Sequence, residues 1–259
     1  VFWAELFSRP REFELNLALS AENSSVRALL LDVEGTTTPI DFVYKTLFPF
    51  ASLRVEEFLR VHFAEAEIQA LIADLRREHG PEDWNKRTPE EEIASASNYV
   101  RRLIEQDKKL TPLKALQGKI WEEGFQSGEL RGEVYEDVPR AFARWKKEGK
   151  RVAIFSSGSV LAQKLLFAHS ASGDLTKFIE AYFDTTTGPK REAASYLKIA
   201  KELRVSAAEM LFVSDVSAEL DAAQEAGMET ALSLRPGIAR PEGAEQPSIT
   251  SFDELFPAR

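Results

Sequence analysis

The sequence predicts an α/β fold, a Rossmann-like parallel sheet core with an inserted all-helical cap domain after its first strand. Three observations carry this. A short apolar run from Arg27 to Val33 closes in turn chemistry at Gly35; from Phe42 to about Leu130 the apolar residues fall at helical spacing; and from Arg151 to Leu234 short apolar runs alternate with helical patterns.

The first run, Arg27-Ala28-Leu29-Leu30-Leu31-Asp32-Val33, has the length and continuous apolarity of a strand buried on both faces of a parallel sheet. Helical spacing follows in Val55, Phe58, Leu59 and Phe63; Ile68, Leu71, Ile72 and Leu75; Ile93, Tyr99, Val100, Leu103 and Ile104; and Leu113, Leu116, Ile120 and Trp121. Gly80-Pro81-Glu82-Asp83 punctuates the stretch, and Thr111-Pro112 suits a helix start with proline in its first turn. Strands are then expected at 151–155, 181–184, 210–214 and 229–234, and helices at 160–168, 191–203 and 217–226. Such alternation implies right-handed crossovers and a sheet covered on both sides. The expected organisation is an N-terminal extension over 1–25, an α/β core from 26–42 and 135–259, and a helical cap from 43–134.

Composition excludes whole classes of function. The 259 residues contain no cysteine, so disulfides, thiolate zinc sites, iron–sulfur clusters and cysteine nucleophiles are absent. A reducing cytoplasm is the expected compartment. The net charge of −9 comes with no basic face, which disfavours a nucleic-acid partner. No apolar run approaches the roughly 18 residues that suggest a membrane span, and Glu5, Arg9 and Pro10 interrupt the first residues, so neither membrane nor export is expected.

In an open parallel sheet, ligands bind outside the carboxyl ends of the strands. Here those ends read Asp32-Val33-Glu34-Gly35-Thr36, Ser156-Ser157-Gly158-Ser159, Asp184-Thr185 and Ser214-Asp215, with Lys190 beyond Asp184. Two carboxylates from separate strands can share a hard cation such as Mg²⁺, while hydroxyls and an ammonium hold a phosphate; this is a constellation for phosphoryl transfer. Asp32 is the candidate nucleophile, because a carboxylate that accepts and releases a phosphoryl group divides one difficult displacement into two easier ones. Glu34 can protonate the leaving oxygen or help fix the metal through its backbone carbonyl. Gly35 permits a sharp turn, and the N–H and hydroxyl of Thr36 can orient the nucleophile.

In this order, the aspartate after the first strand, the serine after the second, the lysine and the second aspartate resemble the haloacid dehalogenase superfamily of phosphatases. Within it, Asp32-Val33-Glu34-Gly35-Thr36-Thr37-Thr38-Pro39-Ile40 is similar to the opening of the enolase-phosphatases, or acireductone synthases, which have glutamate where the generic phosphatase has a second aspartate. Phe48-Pro49, Leu116-Gln117-Gly118, Ser156-Ser157-Gly158-Ser159-Val160, Gln163 to Phe167, Phe183-Asp184-Thr185, Asp215-Val216 with Glu219, and Arg235-Pro236-Gly237 extend the likeness over residues 28–256. The resemblance implies one Mg²⁺ at Asp32, Glu34 and Asp215, catalysis by Asp32 and Glu34, and substrate contacts at Ser156, Ser157 and Lys190. It implies an enzyme of methionine salvage whose partner is a small phosphorylated diketone, 2,3-diketo-5-methylthiopentyl 1-phosphate; a monomer is expected, though the sequence leaves the oligomeric state open. That substrate is first enolised and then dephosphorylated to the acireductone. The insert is expected to overhang the catalytic face and close over the substrate.

Each residue also has a plainer reading. Asp32 can cap a turn, Glu34 can be a solvated loop acid, Ser156 and Ser157 can belong to a helix-capping loop, and Lys190 can be one of many surface lysines. Glu219 either partners a residue behind the site or favours the first turn of its helix, and is not counted among the site residues. His62, His79 and His169 lack metal-ligand spacing, and Trp84 and Trp121 read as core. The rival functions are a phosphatase of the same fold for another small ester, and a non-catalytic phospholigand-binding protein.

Overall fold

The computed structural model describes residues 25–79, 84–85 and 87–256. The expected extension over 1–25 and the Gly80 to Asp83 punctuation therefore lie almost wholly outside the described residues. The chain divides into two units: one runs to Pro39, then Glu133–Ser157 and from Ser170 onward, and the other comprises Ile40–Gly132 and Gly158–His169.

The first unit is built on six parallel strands, β1 (Ala28–Leu31), β2 (Arg151–Phe155), β3 (Ile179–Phe183), β4 (Met210–Ser214), β5 (Glu229–Ser233) and β6 (Ser248–Ile249), in the order β3-β2-β1-β4-β5-β6. All four residues of β1 are buried. Because side chains alternate across a strand, Ala28 and Leu30 join one apolar layer with Phe155, Phe183, Tyr196 and Phe212, while Leu29 and Leu31 face the other side. Helices α5 (Asp137–Lys147), α7 (Ala193–Leu203) and α8 (Ser217–Glu225) belong to this unit. Trp145 of α5 is fully buried, its ring 5.3 Å from that of Phe252.

The second unit contains α1 (Phe48–His62), α2 (Ala66–His79), α3 (Pro89–Glu105), α4 (Thr111–Ser127) and α6 (Val160–Ala168). A capping box opens α3: Thr88 Oγ1 accepts from Glu91 N–H, the Glu91 carboxylate accepts from Thr88 N–H, and Pro89 occupies the first turn. Proline likewise sits in the first turn of α4, which ends at left-handed Gly128. A π-helical turn over Val43–Leu47 precedes α1, and buried Trp121 donates from Nε1 to the Leu47 carbonyl at 2.8 Å. Helix α6, placed by sequence in the stretch 135–259, packs with α4 instead; Gly118 meets Leu161 so closely that a Cβ there would lie 3.2 Å from Leu161 Cδ2.

Strands β2 and β4 and helix α6 have their expected limits. Strand β3 begins earlier, at Ile179, where its pairing with β2 shifts register, and α7 begins later, at Ala193, because the preceding residues form a turn that carries Lys190. The two-residue β6 was not anticipated; it is too short to show a period. No helix among the described residues is long and apolar enough to cross a membrane.

Candidate active site

The parallel register sets the row on which the site is built. Leu31 is level with Ile154 of β2 and Val213 of β4, so the next residue on β1's path, Asp32, comes level with Phe155 and Ser214. Ser156 and Asp215 stand one residue further on. Asp32 N–H continues the ladder by donating to the Val213 carbonyl at 3.0 Å.

Asp32 is buried, and each of its carboxylate oxygens has a donor. Oδ1 accepts from Val33 N–H at 2.8 Å and from Lys190 Nζ at 2.7 Å, and Oδ2 accepts from Ser214 Oγ at 3.1 Å. The chain then turns tightly: the Val33 carbonyl accepts N–H groups from Thr36, Thr37 and Thr38 at 3.3, 3.0 and 2.9 Å, and Gly35 adopts φ +65°. Thr36 N–H is thereby occupied in the turn, while its buried hydroxyl has no partner among the described residues. Gly35 is obligatory for two reasons. Its φ is left-handed, and a Cβ on it would come within 2.3 Å of Asp215 Oδ2, so the Asp32 loop and the Asp215 carboxylate approach with no room for a side chain.

Lys190 is not a surface lysine. Only 8% of its side chain is exposed, its Nζ reaches Glu219 Oε2 at 2.6 Å as well as Asp32, and the Phe155 ring lies 5.7 Å away. Its backbone is fixed by α7: Tyr196 Oη donates to the Lys190 carbonyl at 2.6 Å and Ser195 Oγ to the Pro189 carbonyl at 2.7 Å. Burial acts most strongly on this ammonium and would lower its pKa, but the two carboxylates together outweigh it and the net direction is upward. Lys190 stays charged.

Sequence reasoning set Glu219 aside and did not single out the hydroxyl of Ser214. Ser214 Oγ stands 3.1 Å from both Asp32 Oδ2 and Glu219 Oε2 and accepts from Val216 N–H. Burial, followed by the negative charge of Asp32, raises the Glu219 carboxyl to about 7; the same two influences raise Asp215 to about 6. The signal for Glu219 was present as its spacing from Asp215, one helical turn on in α8, but only the fold reveals that it meets Lys190.

Ser156 is buried and its N–H donates to the Phe183 carbonyl at 3.1 Å, extending the ladder, so this N–H is engaged by the sheet and not offered to an anion. Ser157 and Glu34 are half-buried at the ends of the same elements. Asp184 makes a local turn, its Oδ1 accepting from Thr186 N–H and Oγ1 at 2.9 and 2.6 Å.

Two carboxylates, Asp32 and Glu219, thus share one ammonium, and the Asp215 carboxylate stands close against Gly35 of the Asp32 loop. Among the described residues no three His, Cys, Asp or Glu side chains converge as a metal cage does. The set nevertheless suits Mg²⁺, which commonly takes only one or two carboxylates and completes its shell with water and phosphate oxygens. The upward pull of Asp32 on the Asp215 carboxyl marks the excess negative potential that a cation would relieve.

The model of the haloacid dehalogenase-like hydrolase family matches residues 26–227. The Enolase-phosphatase E1 of Synechococcus elongatus is 52% identical over 89% of this chain and 98% of its own length, and that of Drosophila simulans is 43% identical over 92% and 93%. Among solved structures, the UTR4 protein of Saccharomyces cerevisiae superposes with a TM-score of 0.72 at 34% identity, covering 88% of this chain and 99% of that one. A dehalogenase at 20% identity and TM-score 0.53 shares the fold. With a matching family model over most of its length and relatives aligned nearly end to end, the chain belongs to the enolase-phosphatase E1 family of haloacid dehalogenase-like hydrolases.

Proposed function

We propose that this chain enolises 2,3-diketo-5-methylthiopentyl 1-phosphate and then hydrolyses the phosphate ester, releasing the acireductone of methionine salvage, with Asp32 as the phosphoryl acceptor. The observation that carries the reading is the Asp32 carboxylate held at the end of β1 by Lys190, Val33 N–H and Ser214, beside Asp215, in a chain 52% identical to an Enolase-phosphatase E1.

The chemistry follows from these groups. An Asp32 oxygen attacks phosphorus, the bond from phosphorus to the ester oxygen breaks, and the departing oxygen takes a proton; water then attacks the same phosphorus, its bond to the Asp32 oxygen breaks, and inorganic phosphate leaves with the Asp32 carboxylate restored. Lys190 opposes the charge of both the carboxylate and the entering phosphate, and Ser156 and Ser157, at the end of the neighbouring strand, orient the phosphate oxygens. Glu34, on the loop that follows, is positioned in sequence to serve the leaving oxygen. Asp32 and Asp215, with the Glu34 carbonyl, would hold Mg²⁺. Mg²⁺ supplies Lewis-acid stabilisation for a phosphoryl group and for a carbonyl oxygen that gains charge on enolisation.

The test is an assay on the diketone phosphate that follows phosphate release and the ultraviolet absorbance of the enol together, with Mg²⁺ and with a chelator. Both signals should appear with Mg²⁺ and vanish on chelation. Phosphate release from generic esters alone, with no enol signal from the diketone, would assign the chain to another substrate.

A further inference from the structure

A second buried charge lies behind the Asp32 loop. Arg235, 3% exposed, follows β5, a strand separated from β1 by β4. From there two side chains reach back to consecutive carbonyls of the loop: Ser233 Oγ donates to the Gly35 carbonyl at 3.0 Å and Arg235 Nε to the Thr36 carbonyl at 2.9 Å. Residues two apart on an extended chain share a side, which lets both act on one target.

The guanidinium is itself held from several directions. Its Nη1 donates to Asp137 Oδ2 at 2.6 Å and to the Thr250 carbonyl at 3.3 Å, and its Cζ lies 4.4 Å from the ring centres of both Tyr135 and Phe252. Asp137 Oδ2 also accepts from Phe252 N–H at 2.5 Å and Ser251 Oγ at 3.1 Å. Arg235 Nη2 is buried with no acceptor among the described residues. Apolar residues of similar volume commonly replace a buried ion pair without loss of stability. This arginine therefore calls for a role that its fork performs and an apolar side chain does not.

Peptide geometry supplies that role. The Gly35 carbonyl shares a rigid plane with Thr36 N–H, and the Thr36 carbonyl with Thr37 N–H. Fixing the two carbonyls aims those N–H groups at the Val33 carbonyl, which they bond at 3.3 and 3.0 Å, and Val33 N–H in turn bonds Asp32 Oδ1 at 2.8 Å. Thr37 Oγ1 closes the turn on the Asp32 carbonyl at 3.1 Å.

We propose that Arg235, assisted by Ser233, is a positioning residue for Asp32: it locks the two peptide planes of the Gly35–Thr37 turn and so sets the direction from which the carboxylate attacks. This rests on the reading of Asp32 as the nucleophile. A misplacement of about 1 Å in a reacting group can cost about 10²-fold in rate, so the effect belongs in kcat.

The experiment compares wild type with Ser233→Ala, Arg235→Lys and the paired Arg235→Met/Asp137→Asn, which leaves no unpaired buried carboxylate. Each is assayed at a temperature where urea titration finds it folded, by steady-state kinetics on the diketone phosphate and by rapid quench for phosphate on Asp32. The expected result is a fall in kcat and in the rate of Asp32 phosphorylation of about 10- to 10²-fold in the paired variant, less in Arg235→Lys and Ser233→Ala, with KM little changed. Ser233→Ala deletes one hydroxyl and keeps the test open if the paired variant fails to fold. Phosphorylation at the wild-type rate in every folded variant, or a change confined to KM, overturns the positioning role. Wild type that never carries phosphate on Asp32 instead removes the functional reading, and the positioning role with it.

Discussion

Lys190 Nζ lies 2.7 Å from Asp32 Oδ1, and the two side chains are 8% and 7% exposed. A buried ammonium so placed offsets the charge of the carboxylate, and it ties the loop before α7 to the end of β1. Replacing it by an uncharged side chain leaves Asp32 and Glu219 buried and unopposed.

Lys190→Met is therefore expected to lower kcat by about 10²- to 10³-fold and to lower stability by about 3 kcal/mol. Adding Glu219→Gln should recover part of the stability but not the rate, because one surplus carboxylate is gone while the phosphate still lacks its ammonium. Urea titration and steady-state kinetics on the single and double variants separate the two effects.

Ser214 is the hydroxyl between Asp32 and Glu219. Ser214→Ala deletes the donor to Asp32 Oδ2 and should lower stability by about 1 to 3 kcal/mol. Activity should fall while Mg²⁺ affinity, read by calorimetry, changes less than in Asp215→Asn. Unchanged stability in urea would contradict a buried hydrogen bond at this position.

Stability in the absence of metal should fall with rising pH across the range in which these acids ionise. Asp215 at about 6 and Glu219 at about 7 hold their protons more tightly in the folded chain than when unfolded. Each contributes stability that is complete below about pH 4, where unfolded carboxyls titrate, and is lost as pH rises through the folded value. Melting temperatures in chelator should decline from pH 5 to pH 8 more steeply in wild type than in Glu219→Gln. His62, raised chiefly by its hydrogen bond to Glu65, acts in the same sense, and its contribution cancels in that comparison.

Gly35→Ala combines a left-handed φ of +65° with a Cβ 2.3 Å from Asp215 Oδ2. Backbone strain alone costs about 1 to 2 kcal/mol. The carboxylate must also move, so a Mg²⁺ titration should show weakened binding even where circular dichroism shows a folded chain. Wild-type Mg²⁺ affinity in this variant would mean that the close approach of Gly35 to Asp215 is not needed.

What the sequence made legible was local. Asp32 and Asp215 could be found because each follows a short apolar run, and Lys190 because it follows a turn-rich segment after β3. The strands themselves were visible because a parallel sheet buries both faces and removes polar residues from them. What stayed hidden depends on distant pairing. Glu219 gains its meaning only from a lysine on another loop, and Arg235 from Asp137, which lies 98 residues away in the chain. The packing of α6 with α4 was equally hidden, since the amphipathic pattern of a helix states that it is covered and not by what. β6 carries only two residues, below the length at which alternation can be read.

The central place of β1 in the sheet also dictates an order of events during synthesis. Strand β1 leaves the ribosome before the strands on either side of it, and both of its ladders are made with residues translated much later, up to Ile154 on one side and Val213 on the other. Until β4 has emerged, four fully apolar residues wait without one edge of their hydrogen-bonded surroundings. Asp32 is therefore made well before Lys190 and Ser214, the side chains that hold its carboxylate, and a nascent chain stalled before residue 214 holds an incomplete centre however well its helices have formed.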